Sequence, residues 1–315
     1  QYYFKGYLQD LRITNKAVYT TCFSKPTSML EIAEAIPASE PSCGEVALNI
    51  QSNTTTESDA ITDISVNAHA ITKHGNVKHS STESILGDSS LYFDGNGDYL
   101  IVENSDDFNF GSSDYTVELF IYTPNTVSTN TSNVTQIIGK HTTGSATNSA
   151  WVLLHFTNSK EIRWQAYSGE TSSAVSVTIP DNKWVHIAIV QSDNTLKMYK
   201  DGVLESETTM HGSMNISTSR TLIGAVNNKG SLDTTNYAQM FSGYLQDLRI
   251  SKKAVYTGCF VPPASLHTNL VTIPSEPTCD EINLWLRSDT NIESSAITDT
   301  SKNNHSITTH GNARH

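Results

Sequence analysis

Gly243-Tyr244-Leu245-Gln246-Asp247-Leu248-Arg249-Ile250 is the stretch on which the reading of this chain turns, because it occurs twice. Gly6-Tyr7-Leu8-Gln9-Asp10-Leu11-Arg12-Ile13 carries the same eight residues. Both copies run on through Ala-Val-Tyr-Thr (17–20 and 254–257), then Cys22-Phe23 and Cys259-Phe260, then Pro26 and Pro263. Ser39-Glu40-Pro41-Ser42-Cys43 answers Ser275-Glu276-Pro277-Thr278-Cys279, and His69, His74 and His79 answer His305, His310 and His315. The spacing between the two cysteines shortens by one residue in the second copy. Such a change belongs in a loop, since inside a strand it turns every side chain to the other face. A repeat is read before anything else because missing it misassigns the fold. The chain therefore reads as one full unit flanked by two partial ones. Residues 1–23 end a preceding repeat, 24–43 form a linker, 44–263 form the complete domain, 264–280 form a second linker, and 281–315 begin the next repeat. A longer tandem array is the simplest source; a duplication confined to the junction is the alternative.

The unique sequence between the copies is built of strands. Val46–Ile50 opens it, and a short strand over 69–74 follows. Ser90–Phe93 leads into the turn-forming Asp94-Gly95-Asn96-Gly97-Asp98, from which Tyr99–Val102 returns. Tyr115–Ile121 alternates with period two. Residues 125–135 are Thr, Ser and Asn with no apolar pattern and read as an exposed loop. Trp151–Phe156 and Glu161–Tyr167 form a hairpin over Asn158-Ser159-Lys160. Trp184–Val190 is close to a continuous apolar run, as a central buried strand requires. Leu196–Lys200 turns at Asp201-Gly202 into Val203–Glu205. Thr221–Ala225 and Phe241–Ile250 finish the domain. No helical period lasts beyond the turn or two at 29–35. The expectation is an all-β, two-sheet antiparallel β-sandwich.

Charged residues make up 17% of the chain, against roughly 25% in ordinary soluble domains. Ser, Thr and Asn fill the difference, as hydroxyl-rich outer faces of a sandwich would. The formal net charge of −12 argues against nucleic acid as a partner, which needs a basic face. No apolar run approaches the ~18 residues of a membrane span. All four cysteines lie in the duplicated junctions. Bonds Cys22–Cys43 and Cys259–Cys279, one per junction, are expected; four free buried thiols are the alternative. Each bridge closes a loop of some 20 residues and contributes on the order of 3 kcal/mol. Disulfides imply an oxidising, extracellular setting.

Taken in order, five motifs resemble the laminin-G-like jelly roll of the concanavalin A-like lectin/glucanase superfamily. They are Phe93-Asp94-Gly95-Asn96-Gly97-Asp98-Tyr99-Leu100, Tyr115–Tyr122, Lys183-Trp184-Val185-His186-Ile187-Ala188, Leu196–Leu204 and Phe241–Ile250. The resemblance covers about 44–263. It departs from the family where Phe120 replaces the usual tryptophan and Gln246 replaces the first acid of an acidic pair. It implies a structural calcium in many relatives, for which Asp94 and Asp247 are the nominees; a turn-shaping Asp94 and a strand-capping Asp247 are the alternative. It also implies, for glucanase members, acids spaced E-x-D-x-(x)-E on one strand. Glu57-Ser58-Asp59 and Glu205/Glu207 do not supply that pattern, so no enzymatic activity is expected.

Three histidines recur in both copies, but a spacing of five along a strand puts His69 and His74 on opposite faces. Loop and strand histidines with their own partners are the better reading. Sequons stand at Asn53, Asn130, Asn133, Asn215 and Asn304 as glycosylation candidates. Trp151, Trp164 and Tyr167 are candidates for stacking on sugar rings, though core packing is the better reading of them. The expected function is a structural or adhesive repeat of an extracellular filament, its neighbours being head-to-tail copies of the same unit. The alternative is a carbohydrate-binding, lectin-like module with glycans as partners. No cofactor is expected beyond that calcium.

Overall fold

A computed structural model describes residues 39–53, 58–125, 133–228 and 237–267 of the chain. Its strands, in order, begin with β1 (Val46–Ile50), β2 (Ile71–His74), β3 (Lys78–Ser80), β4 (Ser90–Asp94), β5 (Tyr99–Val102) and β6 (Tyr115–Tyr122). β7 (Val134–Lys140), β8 (Thr142–Thr143), β9 (Trp151–Phe156), β10 (Glu161–Ser168), β11 (Thr171–Thr178) and β12 (Trp184–Ser192) follow. β13 (Thr195–Lys200), β14 (Val203–Thr209), β15 (Thr221–Ile223), β16 (Val226–Asn228), β17 (Tyr237–Ala238) and β18 (Ser242–Ser251) complete the set. Helical structure among the described residues is limited to two 3-10 turns, Cys43–Glu45 and Asp106–Phe108. No helix there is long and apolar enough to cross a membrane.

Two antiparallel sheets face each other. The eight-stranded sheet has the order β14-β13-β12-β6-β18-β4-β3, with β1 also on β18. The seven-stranded sheet has the order β11-β10-β9-β7-β15-β5-β2. A small sheet of β17, β16 and β8 lies apart from both. Alternate residues of the two large sheets meet in one core, with Phe93, Val117, Leu119, Ile187 and Leu245 on one side and Leu100, Ile137, Leu153, Trp164 and Val175 on the other. This is the sandwich that the period-two pattern requires, since each sheet must bury one face.

The hairpins at 158–160 and 201–202 form as the sequence predicts. Asp201 and Gly202 both take positive φ, 48° and 78°, the geometry that suits a two-residue hairpin. The turn at 94–98 differs from expectation. β4 pairs with β18 and β3, whereas β5 pairs with β15 and β2, so this turn carries the chain from one sheet to the other. Local turn chemistry is the same for a hairpin and for a sheet-to-sheet corner, and the pairing partners are distant in sequence.

β18 is the hub. β6 lies along one side of it; the other side is shared by β4 at Ser242–Leu245 and by β1 at Leu248–Ser251. Where the partner changes, β18 bulges at Gln246 and Asp247, and Asp247 takes φ 55°. The buried Gln246 side chain fills the gap in the ladder. Its Oε1 accepts from the backbone N–H groups of Ile85 and Leu86, each at 3.0 Å, while its Nε2 donates to Ser89 O at 2.7 Å, Ser52 O at 3.3 Å and Leu86 O. A carboxylate can only accept, so an amide is the group that satisfies both kinds of backbone partner here. Beyond β18, residues 252–267 cross back over the outer face of the eight-stranded sheet as a strap. Tyr256 and Phe260 stack at 3.5 Å between centroids and pack with Val255 on Ala188, Val190 and Tyr199.

Candidate functional site

In an antiparallel ladder, residues directly opposite each other share a face. Leu91 and Phe93 point into the core, so Tyr92 points out; the same reasoning turns out Tyr244 beside Leu245, Tyr122 beside Ile121 and Trp184 beside Val185. The registers place Tyr92 opposite Tyr244, Tyr244 opposite Tyr122, and Tyr122 opposite Trp184. Four aromatic side chains therefore stand side by side across β4, β18, β6 and β12. Each is partly exposed. Successive centroids are 4.9, 5.7 and 5.6 Å apart, with interplanar angles of 39°, 83° and 51°. Lys78 on β3 continues the row, opposite Tyr92.

Gly243 lets the strands come together at this row. Its φ of 149° suits glycine, and a Cβ there would lie 2.5 Å from the carbonyl oxygen of Tyr122. The loop before β4 lies along one side of the row. Burial raises the pKa of the Tyr122 hydroxyl, and the Glu83 carboxylate beside it adds to the shift. Burial likewise raises Tyr244, followed by Tyr92 and Glu83. The row thus combines apolar ring faces, phenol hydroxyls and a carboxylate acceptor on a surface open to solvent.

The other end of the same sheet face is closed. Glu118 on β6 is fully buried under the strap. Its Oε1 accepts from Arg249 Nε at 2.8 Å and faces Arg249 Nη2 at 2.7 Å, and its Oε2 accepts from Tyr256 OH at 2.6 Å. His186 Nε2 lies 3.3 Å from the same carboxylate and His267 Nε2 3.8 Å. Burial alone would raise Glu118, but Arg249 and the histidines outweigh it and hold the carboxyl well below its usual range. Burial would lower His267; Asp247, 2.6 Å from its Nδ1, and Glu118 reverse that and raise it. Arg249 also reaches Glu40 at 2.8 Å, tying the segment ahead of β1 to the same cluster. Glu118, His186 and Arg249 are buried, and these groups serve to fasten the strap.

A family model for the concanavalin A-like lectin/glucanases superfamily, of the laminin G type, matches residues 94–257, over half of the chain. The chain belongs to this superfamily. Among solved structures, the binding domain of a mosquitocidal protein from Paraclostridium is similar at 14% identity and a TM-score of 0.51, over 67% of this chain and 50% of that one. The receptor-binding domain of a botulinum neurotoxin of mosaic serotype C/D is similar at 17% identity and a TM-score of 0.50, over 67% and 48%. A botulinum neurotoxin DC binding domain in complex with SialylT is similar at 15% and 0.50, over 67% and 48%. At these identities the likeness is one of fold. This chain spans about half the length of those structures. No curated protein sequence matches it.

Within the superfamily fold, two of the three stacking candidates take the core-packing reading. Trp151 and Trp164 are fully buried, stacked on each other at 5.1 Å, and Trp151 Nε1 donates to Phe108 O at 2.9 Å. They alternate inward on β9 and β10 and cannot meet a sugar, so core packing is what the structure shows. Tyr167 is half-buried on the outer face of the seven-stranded sheet, stacked on His141 at 5.5 Å.

Asp94 and Asp247 do not form one calcium site. Asp94 lies opposite Ser242, five residues before Asp247 on β18, a separation of roughly 17 Å. Asp94 Oδ1 accepts from Asn96 N at 2.7 Å and shapes its turn. Asp247 is buried, not an exposed cap; it accepts from Gln51 Nε2 at 3.0 Å and His267 N at 3.2 Å, and so anchors the strap. Buried Asp98, the last residue of the turn, accepts from the backbone of Asp94 at 2.9 Å and Asn76 at 2.5 Å and locks the corner.

The histidines take separate partners. His69 lies 2.9 Å from Asp63 and 3.1 Å from Asp107, His74 stacks on Tyr99 at 4.4 Å, and His79 Nδ1 lies 2.7 Å from Ser52 Oγ. Among the sequons, Asn53 and Asn133 are exposed. Asn215 is not available: its Nδ2 donates to Ala146, Ser149 and Gly169 carbonyls at 3.1 Å each, and its Oδ1 accepts from Gly169 N at 2.7 Å. Asn130, Asn304, Glu57, the turn at 29–35, the partial repeats at 1–23 and 281–315, and Cys22 and Cys279 lie outside the described residues. Cys43 is half-buried and Cys259 exposed, and they are not bonded to each other.

The aromatic row was not foreseen. Its members sit on four strands whose register with one another no local pattern encodes. The available signal was the outward phase of each strand: a Tyr or Trp at the solvent position of Ser90–Asp94, Tyr115–Tyr122, Trp184–Ser192 and Ser242–Ser251.

Proposed function

We propose that the protein is a carbohydrate-binding, lectin-like module of an extracellular or surface protein, and that it binds glycans on the outer face of the eight-stranded sheet. The observation that carries this reading is the continuous row Tyr92–Tyr244–Tyr122–Trp184. A sugar ring has an apolar C–H face and a rim of hydroxyls. A partly exposed tyrosine offers it a ring to stack on and a hydroxyl to bond with, at little cost in side-chain entropy. A solved structure of similar fold, carrying SialylT, is consistent with glycan partners. The module binds without cleaving. Glu83 is the carboxylate beside the row, and hydrolysis needs a pair across the scissile bond.

The test is a glycan array probed with the protein and with Tyr244→Ala. Specific glycan signals that the substitution abolishes are the expected result. A blank array, or signals that survive the substitution, would sink the proposal.

A second reading, a repeat unit of an adhesive filament, is favoured by the duplicated words at 6–26 and 243–263. The two are compatible, since a tandem array of such modules would multiply weak glycan contacts.

A further inference from the structure

We infer that the ligand is a single, extended chain of uncharged sugars laid across the strands, rather than an acidic glycan or the flat face of a crystalline polysaccharide. This inference rests on the glycan-binding reading above and adds the class of ligand.

Orientation and length follow from the ladder. The row runs perpendicular to the strands over four neighbours about 4.8 Å apart, so it extends over roughly 14 Å. That suits several linked sugar rings in line and wastes most of its surface on one ring. The charge of the ligand follows from the row's flank. Glu83, on the loop that Ser90 Oγ ties to the start of β4 at 2.6 Å, puts its carboxylate within hydrogen-bond reach of the Tyr122 hydroxyl. The chain as a whole carries a formal net charge of −12. Lys78 stands at the outer end, beyond Tyr92. A sugar carboxylate stacked at the centre of the row would face Glu83 in a partly desolvated place, where like charges repel strongly.

The physical state of the ligand follows from the ring planes. A crystalline polysaccharide presents coplanar rings and needs a coplanar platform. Here neighbouring planes differ by 39°, 83° and 51°. Only a separate chain, whose successive rings turn about their linkages, can lay a face against more than one of them.

Calorimetric titration of the full chain tests this. The probes are soluble gluco-, xylo-, manno- and galacto-oligosaccharides from monosaccharide to hexasaccharide, sialyllactose, oligogalacturonates, and microcrystalline cellulose by sedimentation. Tyr244→Ala and Tyr92→Ala serve as the site variants, with circular dichroism to confirm that each is folded. One neutral series should bind, its affinity climbing with each added sugar and levelling off once the row is spanned. Both variants should lose roughly tenfold or more. Acidic oligosaccharides or cellulose bound in preference, and lost in the same variants, would overturn the ligand class and leave the site standing. A neutral series with no gain beyond the monosaccharide would do the same. Binding that neither variant weakens, or no binding to any probe, would remove the site and with it the functional proposal.

Discussion

Along β6 the outward positions read Thr116, Glu118, Phe120 and Tyr122; along β18 they read Ser251, Arg249, Gln246 and Tyr244. At one end of this shared face a carboxylate and a guanidinium are buried against each other beneath the strap. At the other end two tyrosines stand partly bare. The same strands, with the same in-and-out alternation, thus build a closed surface and an open one. What differs is the cover. Under residues 252–267 Glu118 and Arg249 are buried and find their partners inside the protein, because an unpaired buried charge is costly. Where the strap does not reach, the outward side chains have no such obligation, and large aromatics persist there without a packing reason. A row of that kind is what a binding surface looks like on an otherwise polar sandwich.

The largest expected effect tests the closed end. Arg249→Ala leaves Glu118 buried without its main cation, only the histidines facing it, and should cost about 3–5 kcal/mol in urea unfolding. A loss under about 1 kcal/mol would mean that water enters beneath the strap and that the two ends do not differ as described. Gln246→Glu keeps the acceptor and removes the donor that serves Ser89, Ser52 and Leu86. It should cost about 2–3 kcal/mol in the same measurement, and a neutral result would show that the bulge repacks around a carboxylate.

Much of the architecture was legible beforehand. The Asp201-Gly202 hairpin and the buried strand at Trp184 are local signals, and local signals survive translation into structure. The closed cluster was not legible: Glu118 and Arg249 are paired by topology across most of the domain, and nothing near either residue names the other. The same holds for the aromatic row, whose members are spread from 92 to 244. Trp151 and Trp164 left two readings open for a related reason. Alternation says that neighbours on β9 and β10 face opposite ways, but not which way is in. Tryptophan suits a core and a sugar site equally well.

The response to pH sharpens the contrast between the sheets. In the seven-stranded half, burial pushes His141 and His155 down to about 4, Asp181 opposing the shift at His155. Their folded values lie below the unfolded value of about 6.5, so the stability they contribute is present above that pH. It is lost as pH falls toward 4, by roughly 2 kcal/mol for each. His267 has the opposite sign. Its folded value is raised, so its contribution is complete below the unfolded value and is lost as pH rises through the folded one. Urea midpoints followed across pH should fall on the acid side less in His155→Gln than in the parent. Proteolysis within 252–267 should quicken on the alkaline side in the parent but show no such step in His267→Gln. A parent protein whose acid loss is unchanged by His155→Gln, or whose strap is cut equally at every pH, would contradict the assignment.

The smallest effect on stability is expected at the open end. Tyr92→Ala should cost under about 1 kcal/mol, because a partly exposed ring contributes little burial. A cost of several kcal/mol would mean that the row is packing surface after all.

A crystal structure of the chain with a bound neutral oligosaccharide tests the central claim most directly. The account predicts sugar rings lying across β4, β18, β6 and β12, in contact with Tyr92, Tyr244, Tyr122 and Trp184. A sugar bound instead on the seven-stranded sheet beside Tyr167, with the aromatic row bare, would contradict it.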